Sequence, residues 1–438
     1  MHVGFYLNTN HLSDWDWADI LQGDVPLSGT DGQTFRLAHE LTRRTSVQVT
    51  LLTTTMGTSS SATKVDQVQV EDFVDAVRYA DTHRFDVLVF TNANKPDVIE
   101  GLHVAEQVQQ LCIAWCHTGP WSPTMWRLYA EIDAVQRVIC MTHPHANLFR
   151  DRSIFDKIEV VYNGIDAEWY RKHQSILPDS HTACYVGALT PDKGFHHVAQ
   201  SWPQVRKSVP DARLIVVGGA NLYDRSATLG PLEVADPAFE HDHIIPYLGN
   251  SREEAFGRFG VNFRGLVSPR QIRDLMHACQ IGIVNPNLNP GESLETFCIS
   301  AIEFQATGTP VVGGRRRGLR ETVRHKQTGL LIDTQDQLAP SICRLLTHKD
   351  EAQDMGRRGQ KRVAEMFDFS HAVERWQQVL NATAEGISPN PPPFSWQRAT
   401  PKTIVREGIR RLHALAGHGN RISLLDRGLE ALRGKIIG

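Results

Sequence analysis

Two carboxylates separated by seven residues, Glu295 and Glu303, mark the stretch of this 438-residue chain best suited to chemistry. It reads Glu292-Ser-Leu-Glu295-Thr-Phe-Cys-Ile-Ser-Ala-Ile-Glu303-Phe-Gln-Ala-Thr-Gly308-Thr-Pro-Val-Val312. The apolar run from Ile299 predicts a helix that stops at Gly308, and Pro310 to Val312 reads as the strand after it. The first backbone N–H groups of such a helix lack intrahelical partners. With the positive end of the helix dipole, they make a ready site for a diphosphate. Glu303, about one turn inside, can accept hydrogen bonds from a diol, whereas Glu295 sits in the loop, where a carboxylate can also simply cap the helix. The spacing alone carries little weight, because carboxylate pairs at that distance are common on solvated helix faces.

Residues that could bind a metal give no site at a telling spacing. Cys112 and Cys116 lack the second cysteine or histidine pair of a structural zinc site. Asp14-Trp-Asp16 lies in a polar loop without strand context, and His241-Asp-His243 reads as a solvated loop. The seven cysteines, Cys112, Cys116, Cys140, Cys184, Cys279, Cys298 and Cys343, are odd in number and scattered through apolar stretches, which predicts reduced, buried thiols.

The elements that must hold these residues follow from the patterning. Short β-branched runs recur between helix-like stretches: Val47 to Leu52, Phe85 to Phe90, Ile113 to Trp115, Val135 to Met141, Ala183 to Val186, Leu214 to Val217, Val261 to Phe263, Ile281 to Val284 and Pro310 to Val312. That alternation predicts an α/β protein with helices on both faces of parallel sheets. Helices are expected over Gln271 to Cys279, Ile299 to Thr307, Gln337 to Leu346 and, as one element, Glu351 to Leu380. Polar turn chemistry after Ile158-Glu-Val-Val-Tyr-Asn-Gly-Ile-Asp166 places a domain junction near residue 170. Pro391 to Pro393 make Ile387 to Ser395 a semi-rigid linker.

Beyond it, Val405, Ile409, Leu412 and Ala416, then Leu425, Leu429, Leu432 and Ile436, keep helical spacing. Residues 398–438 hold nine Lys/Arg and three Asp/Glu, a net of +6; the whole chain is -3, which leaves -9 for the rest. This basic amphipathic tail reads either as packing on the body or a second subunit, or as docking on an anionic membrane. Hydrophobic residues at 41% and charged residues at 22% fit a folded globular protein. The first residues read as a β-strand rather than a signal segment, and no apolar run reaches membrane-spanning length, so a cytoplasmic location is expected, with peripheral contact at the inner membrane face left open.

The Glu295–Val312 segment resembles the Glu-x7-Glu signature of family 4 retaining glycosyltransferases, down to Phe297, Glu303 and Gly308 to Val312. Other landmarks follow in that family's order: Gly29-Thr-Asp-Gly32 before a helix, Ala114-Trp-Cys-His117 at a strand end, Val161-Tyr-Asn-Gly-Ile-Asp166, Tyr185-Val-Gly-Ala-Leu-Thr-Pro-Asp-Lys193-Gly194, and Val261-Asn-Phe-Arg264-Gly-Leu-Val267 with its helix. The resemblance covers roughly residues 1 to 380. It implies the GT-B fold, two Rossmann-like doubly wound domains followed here by a helical tail. The expected divisions are an acceptor-binding domain at 1–170, a nucleotide-sugar domain at 171–365, a helix at 366–385 crossing back to the first lobe, a linker at 386–397 and the tail at 398–438.

Carried over, the resemblance assigns catalysis to His117, Lys193 and Glu295, and donor binding to Gly29, Gly32, Gly187, Lys193, Arg264, Glu295, Thr296, Phe297, Cys298, Ile299 and Glu303. Glu303 would hold the ribose hydroxyls, Glu295 a sugar hydroxyl, and Lys193 with the backbone N–H groups near Phe297 to Ile299 the diphosphate. No metal and no cofactor are implied; the donor would be a UDP- or GDP-linked sugar, most simply a hexose. The acceptor would be a glycan, a lipid-linked or a small molecule, as in polysaccharide biosynthesis, with no nucleic acid partner. Trp15, Trp17, Trp121 and Trp126, in first-lobe loops, could stack on a glycan acceptor. One departure stands out: the family's phosphate loop usually has an arginine where this chain has Ala188, and Arg315, Arg316 and Arg317 are the nearest compensation in sequence. A non-catalytic sugar-nucleotide-binding protein, or a GT-B epimerase or hydrolase, is the alternative.

Overall fold

The computed structural model describes residues 1–415 apart from 13–14, 59–60, 92–94, 119–122, 173–178, 223–226, 289–294 and 396–399. Asp14, Trp121, Glu292 and the stripe from Leu425 to Ile436 lie outside the described residues.

Two parallel sheets organise the chain. The first runs β1 (His2–Leu7), β2 (Gln48–Thr53), β3 (Asp66–Gln69), β4 (Val87–Thr91), β5 (Cys112–Cys116), β6 (Val135–Cys140) and β7 (Ile158–Val160), in spatial order β3-β2-β1-β4-β5-β6-β7. The second runs β8 (Asp179–Val186), β9 (Arg213–Val217), β10 (Val261–Gly265), β11 (Cys279–Val284), β12 (Val311–Gly314) and β13 (Gly329–Ile332), in order β10-β9-β8-β11-β12-β13. Central strands such as β5 and β11 are buried along their whole length, because helices cover both faces of each sheet. In both sheets the strand order reverses beside the first strand, and a doubly wound fold binds its ligands at that switch point, outside the carboxyl ends of the strands.

Every strand named from the sequence is present. The expected helix from Glu351 to Leu380 is instead two helices, Lys349–Met366 and Phe369–Ala384. The break has a local cause: Asp368 turns extended, caps the second helix by accepting from the Ser370 N–H at 2.9 Å, and lies beside Ile165, whose N–H bonds the Phe367 carbonyl. His241-Asp-His243 likewise lies on a helix, Pro237–His243, rather than in a loop.

The Phe369–Ala384 helix belongs to the first lobe's core. Val373, Trp376, Val379 and Leu380 are buried there, and the Trp376 ring lies 5.0 Å from that of Trp115. Each such aliphatic side chain contributes roughly 1.5–3 kcal/mol of burial. Arg137, itself buried, bonds Glu159 at 3.0 Å, Thr383 at 2.8 Å and the Ile387 carbonyl, so the helix end is tied to β6 and β7.

The proline-rich segment is strapped to the body, since Arg150 bonds the Pro392 carbonyl at 3.0 Å. The helix Pro401–Leu415 docks by its polar side: Glu407 is buried against Arg150 (3.1 Å), and Arg406 pairs with Asp151. Its apolar stripe does not face the body; Val405 is 63% and Leu412 68% exposed. The side turned to the body is instead the one carrying Glu407, which is bonded to Arg150, Arg410 and Arg411.

Candidate functional site

The carboxyl ends of both sheets enclose a cavity of about 600 Å³ between the lobes. That is room for a ligand of nucleotide-sugar size. The first lobe contributes Ser28 to Gly32, Arg36 and His117; the second contributes Gly187, Ala188, Lys193 and the run Glu295 to Ser300 with Glu303.

The helix Gly29–Arg44 starts at the cavity, capped by Ser28, whose Oγ accepts from the Asp31 N–H. Opposite it, the helix Ile299–Ala306 starts behind Cys298, whose backbone is left-handed at φ 68°. A non-glycine residue in that region is strained and is kept there only by what surrounds it. Here the Cys298 N–H donates to Glu295 Oε1 at 3.0 Å. Asn285, also at positive φ, donates to Glu295 Oε2 at 3.2 Å, and Lys193 Nζ pairs with that oxygen at 3.0 Å. Burial alone would raise the Glu295 carboxyl, but Lys193, Asn285 and the Cys298 N–H outweigh it and hold the group below the usual carboxylate range.

Glu303 has the opposite balance. Burial dominates and lifts its pKa, even though Tyr170 donates to Oε1 at 2.5 Å and Arg36 adds positive field. Two carboxyls eight positions apart are thus tuned in opposite directions by their surroundings.

His117 follows β5 and is buried. Burial, then the neighbouring His145, lowers its pKa to about 3, so its ring is neutral at physiological pH. Its Nε2 makes no hydrogen bond with the described residues, while its carbonyl accepts from Thr296 Oγ1 at 2.5 Å. Thr142, after β6, donates to the Thr296 carbonyl at 2.8 Å, so the Glu295 loop is hydrogen-bonded to two strand ends of the first lobe.

Gly194 ends the turn that carries Lys193 at φ 74°, and a Cβ there would come within 2.6 Å of the Asn287 nitrogen. Gly194→Ala should therefore cost roughly 1–3 kcal/mol of stability through strain and clash. Thermal denaturation checks this; an unchanged Tm would mean that the turn tolerates a side chain.

Of the residues singled out from sequence, Gly29, Gly32, His117, Gly187, Lys193, Glu295, Thr296, Phe297, Cys298, Ile299 and Glu303 all line this cavity. Arg264 does not: it is exposed on β10, where strand alternation turns it from the buried Phe263 side. Arg315 to Arg317 do not reach the cavity either; Arg315 pairs with Asp333 at 3.0 Å. Trp15, Trp17 and Trp126 are core residues at 2%, 1% and 6% exposure, so they offer no face to a sugar. Asp16, taken with Asp14 as a metal-like pair, caps the helix Trp17–Gln22.

Sequence reasoning missed Arg36, Tyr170 and Asn285. Arg36 lies mid-helix with no motif around it, and Tyr170 sits at the junction where only turn chemistry was visible.

Residues 29–169 match the family model described as Glycosyltransferase Family 4, and residues 180–348 the model described as Glycosyl transferases group 1. A putative glycosyltransferase, YtcC, of Bacillus subtilis is 27% identical over 264 residues, which are 55% of this chain and 59% of that protein. A GDP-mannose-dependent α-(1-6)-phosphatidylinositol monomannoside mannosyltransferase of Mycobacterium tuberculosis is 26% identical over 244 residues, 52% of this chain and 55% of that protein. The chain thus matches little more than half the length of these curated relatives. Among solved structures, Anabaena HepE in complex with UDP aligns over 87% of this chain and 100% of that one, with a TM-score of 0.60 and 18% identity. Sucrose-phosphate synthase from Thermosynechococcus elongatus aligns over 88% and 99%, with a TM-score of 0.63 and 17% identity.

Proposed function

Because the chain belongs to the GT-B glycosyltransferases of the family 4 type, we propose that it is a retaining, metal-independent transferase moving a hexose-type sugar from a nucleoside diphosphate sugar to a glycan, lipid-linked or small-molecule acceptor. The observation that carries this reading is the convergence of Glu303, the Lys193–Glu295 pair, the Ile299–Ala306 helix start and the buried His117 Nε2 on one cavity.

Glycosyl transfer builds positive charge on the sugar ring and negative charge on the departing phosphate. Lys193 and the backbone N–H groups at Phe297 to Ile299 supply fixed positive potential where the second charge grows. With Ala188 in the phosphate loop, Lys193 and Arg36 are the Lys/Arg side chains that line the cavity among the described residues. Glu303 accepts from the ribose hydroxyls and Glu295 from a sugar hydroxyl, while the neutral His117 ring faces the transferring sugar. Same-face attack lets the leaving phosphate oxygen take the acceptor proton, so no separate base is required.

Calorimetric titration with UDP-, GDP- and ADP-sugars in EDTA, beside a Glu303→Ala control, tests the reading. Micromolar binding of one donor that disappears in the control supports it and names the base. Binding of none, or binding indifferent to Glu303, overturns it.

The tail bears on the acceptor. The Pro401–Leu415 helix turns Ile404, Val405 and Leu412 outward with Lys402 exposed and Arg411 largely so, whereas Arg406 is paired with Asp151. That combination supports peripheral docking on an anionic membrane. Val405→Asp with Leu412→Asp should abolish sedimentation with phosphatidylglycerol vesicles and leave transfer to a soluble acceptor unchanged; equal sedimentation of the variant would rule the docking out.

A further inference from the structure

A second cavity, of about 370 Å³, opens at the lobe junction and shares no lining residue with the first. Tyr162 lines it from the first-lobe side, and Arg315, Arg320, Glu321, Arg324 and Arg362 from the second.

Four guanidinium groups thus face one carboxylate, and that carboxylate is engaged. Glu321 Oε2 accepts from the His143 N–H at 3.0 Å and from the Tyr162 hydroxyl at 3.2 Å. Arg315 pairs with Asp333 outside the cavity lining. Arg362 donates to the Glu321 carbonyl at 2.6 Å and the Thr322 carbonyl at 3.2 Å, which leaves three of its five N–H groups. Burial, then the neighbouring Arg324, lowers its pKa to about 10, so it remains a cation. The guanidiniums of Arg320 and Arg324 meet no carboxylate among the described residues. His325, also on the wall, accepts from the Leu331 N–H through Nδ1 at 3.0 Å, so its Nε2 carries the proton.

Like charges gathered in a concave site repel one another and focus a field that draws an anion. Guanidinium forks match the oxygens of a phosphate in pairs. The volume exceeds that of a bare phosphate and leaves room for a small organic body. The geometry points to this cavity as a binding site for a phosphorylated small molecule, its phosphate held by Arg320, Arg324 and Arg362, apart from the donor cavity.

An occupant would rest on the segment that joins the two sites. Glu321 bonds first-lobe residues, and Gly318, three positions earlier, donates its N–H to the Glu295 carbonyl at 3.1 Å. A ligand that shifts this segment would reach the Glu295 loop directly, and any effect on donor affinity must be mirrored in its own.

The test is calorimetric titration of the full chain with inorganic phosphate and with glycerol 3-phosphate. Wild type is compared with an Arg320→Ala, Arg324→Ala double variant and with Lys193→Ala, a substitution in the lining of the donor cavity and not of this one. Arg324 is exposed and Arg320 half-buried without an ion pair, so the double variant should fold, as circular dichroism would check. The expected result is binding at least tenfold weaker in the double variant and retained in Lys193→Ala. Equal binding by the double variant, loss in Lys193→Ala alone, or no binding of either probe by wild type would each overturn the proposal. Sedimentation with phosphatidic acid vesicles separates the sources: arginine-dependent binding to vesicles without binding of the soluble probes would make a lipid headgroup the ligand and overturn the small-molecule assignment. The transferase reading is tested by donor titration in the absence of these probes, so failure here leaves it untouched.

Discussion

Lys193→Ala is expected to lower kcat/KM for sugar transfer by about 10²–10³-fold, the scale on which removing one preorganised donor from a developing anion acts. The charge it would neutralise grows as the phosphate departs, so the loss belongs mainly in kcat rather than in KM. The substitution has a second consequence that must be separated from the first. Lys193 holds Glu295 ionised in a buried position through a 3.0 Å pair. Without it, burial prevails, the Glu295 pKa rises, and stability drops by about 1–3 kcal/mol, the cost of a buried polar group left short of a partner. The sign can be read from pH. A carboxyl held below its ordinary pKa stabilises the fold above that ordinary value and loses the contribution as pH falls through the folded-state pKa. Removing the lysine should flatten that part of the stability curve. Turnover of Lys193→Ala measured well below its Tm, where the fold is intact, separates the two consequences. Turnover there within tenfold of wild type would mean that Lys193 acts only through stability, and its assignment to the leaving phosphate fails.

The scaffold around this pair was largely legible in the sequence because its signals are local. Short β-branched runs such as Ile281 to Val284, alternating with helix-like stretches, read as strands buried on both faces, and the Gly308-Thr-Pro310 punctuation marks where helix gives way to strand. Two short strands gave no such signal: Asp66–Gln69 is polar at a sheet edge, and Gly329–Ile332 is only four residues long. The split at Phe367 was hidden for another reason. Asp368 and Ser370 spell a cap, but nothing in the spacing told that the chain must turn there to meet Ile165, about two hundred residues earlier. The tryptophans and Arg264 show the same limit from the other side. Residue type suggested ligand contact, yet Trp15 and Trp17 pack edge-on against Phe35, and Arg264 falls on the outward side of its strand. Which way a side chain points is settled by tertiary packing. Arg36, Tyr170 and Asn285 reach the site only through such packing, so no motif could have named them.

Glu303→Gln tests the other half of the site, through binding rather than rate. A carboxylate that accepts from two ribose hydroxyls makes charge-assisted hydrogen bonds, and weakening them should cost about 1.5–3 kcal/mol, or roughly 10- to 150-fold in donor Kd. The pH dependence follows from the direction of the shift. Burial raises the Glu303 pKa above the ordinary carboxyl value despite Tyr170 and Arg36, so as pH falls the group takes up its proton earlier than a free glutamate would. Wild-type donor affinity should therefore decline with falling pH before an exposed carboxyl would titrate, whereas the glutamine variant, already neutral, should be flat over that range. Stability moves the other way. A carboxyl with a raised folded-state pKa stabilises the fold below its unfolded value and loses that contribution as pH rises through the folded-state pKa. Wherever Glu303 is ionised the wild type carries the cost of burying that charge, and Glu303→Gln should hold or raise Tm while binding donor worse. Tyr170→Phe removes the hydroxyl that partly offsets burial and should push the pH dependence of donor binding further upward. A glutamine variant that binds donor as wild type does, with the same pH profile, would remove Glu303 from the nucleotide site and leave the resemblance of its motif without a function.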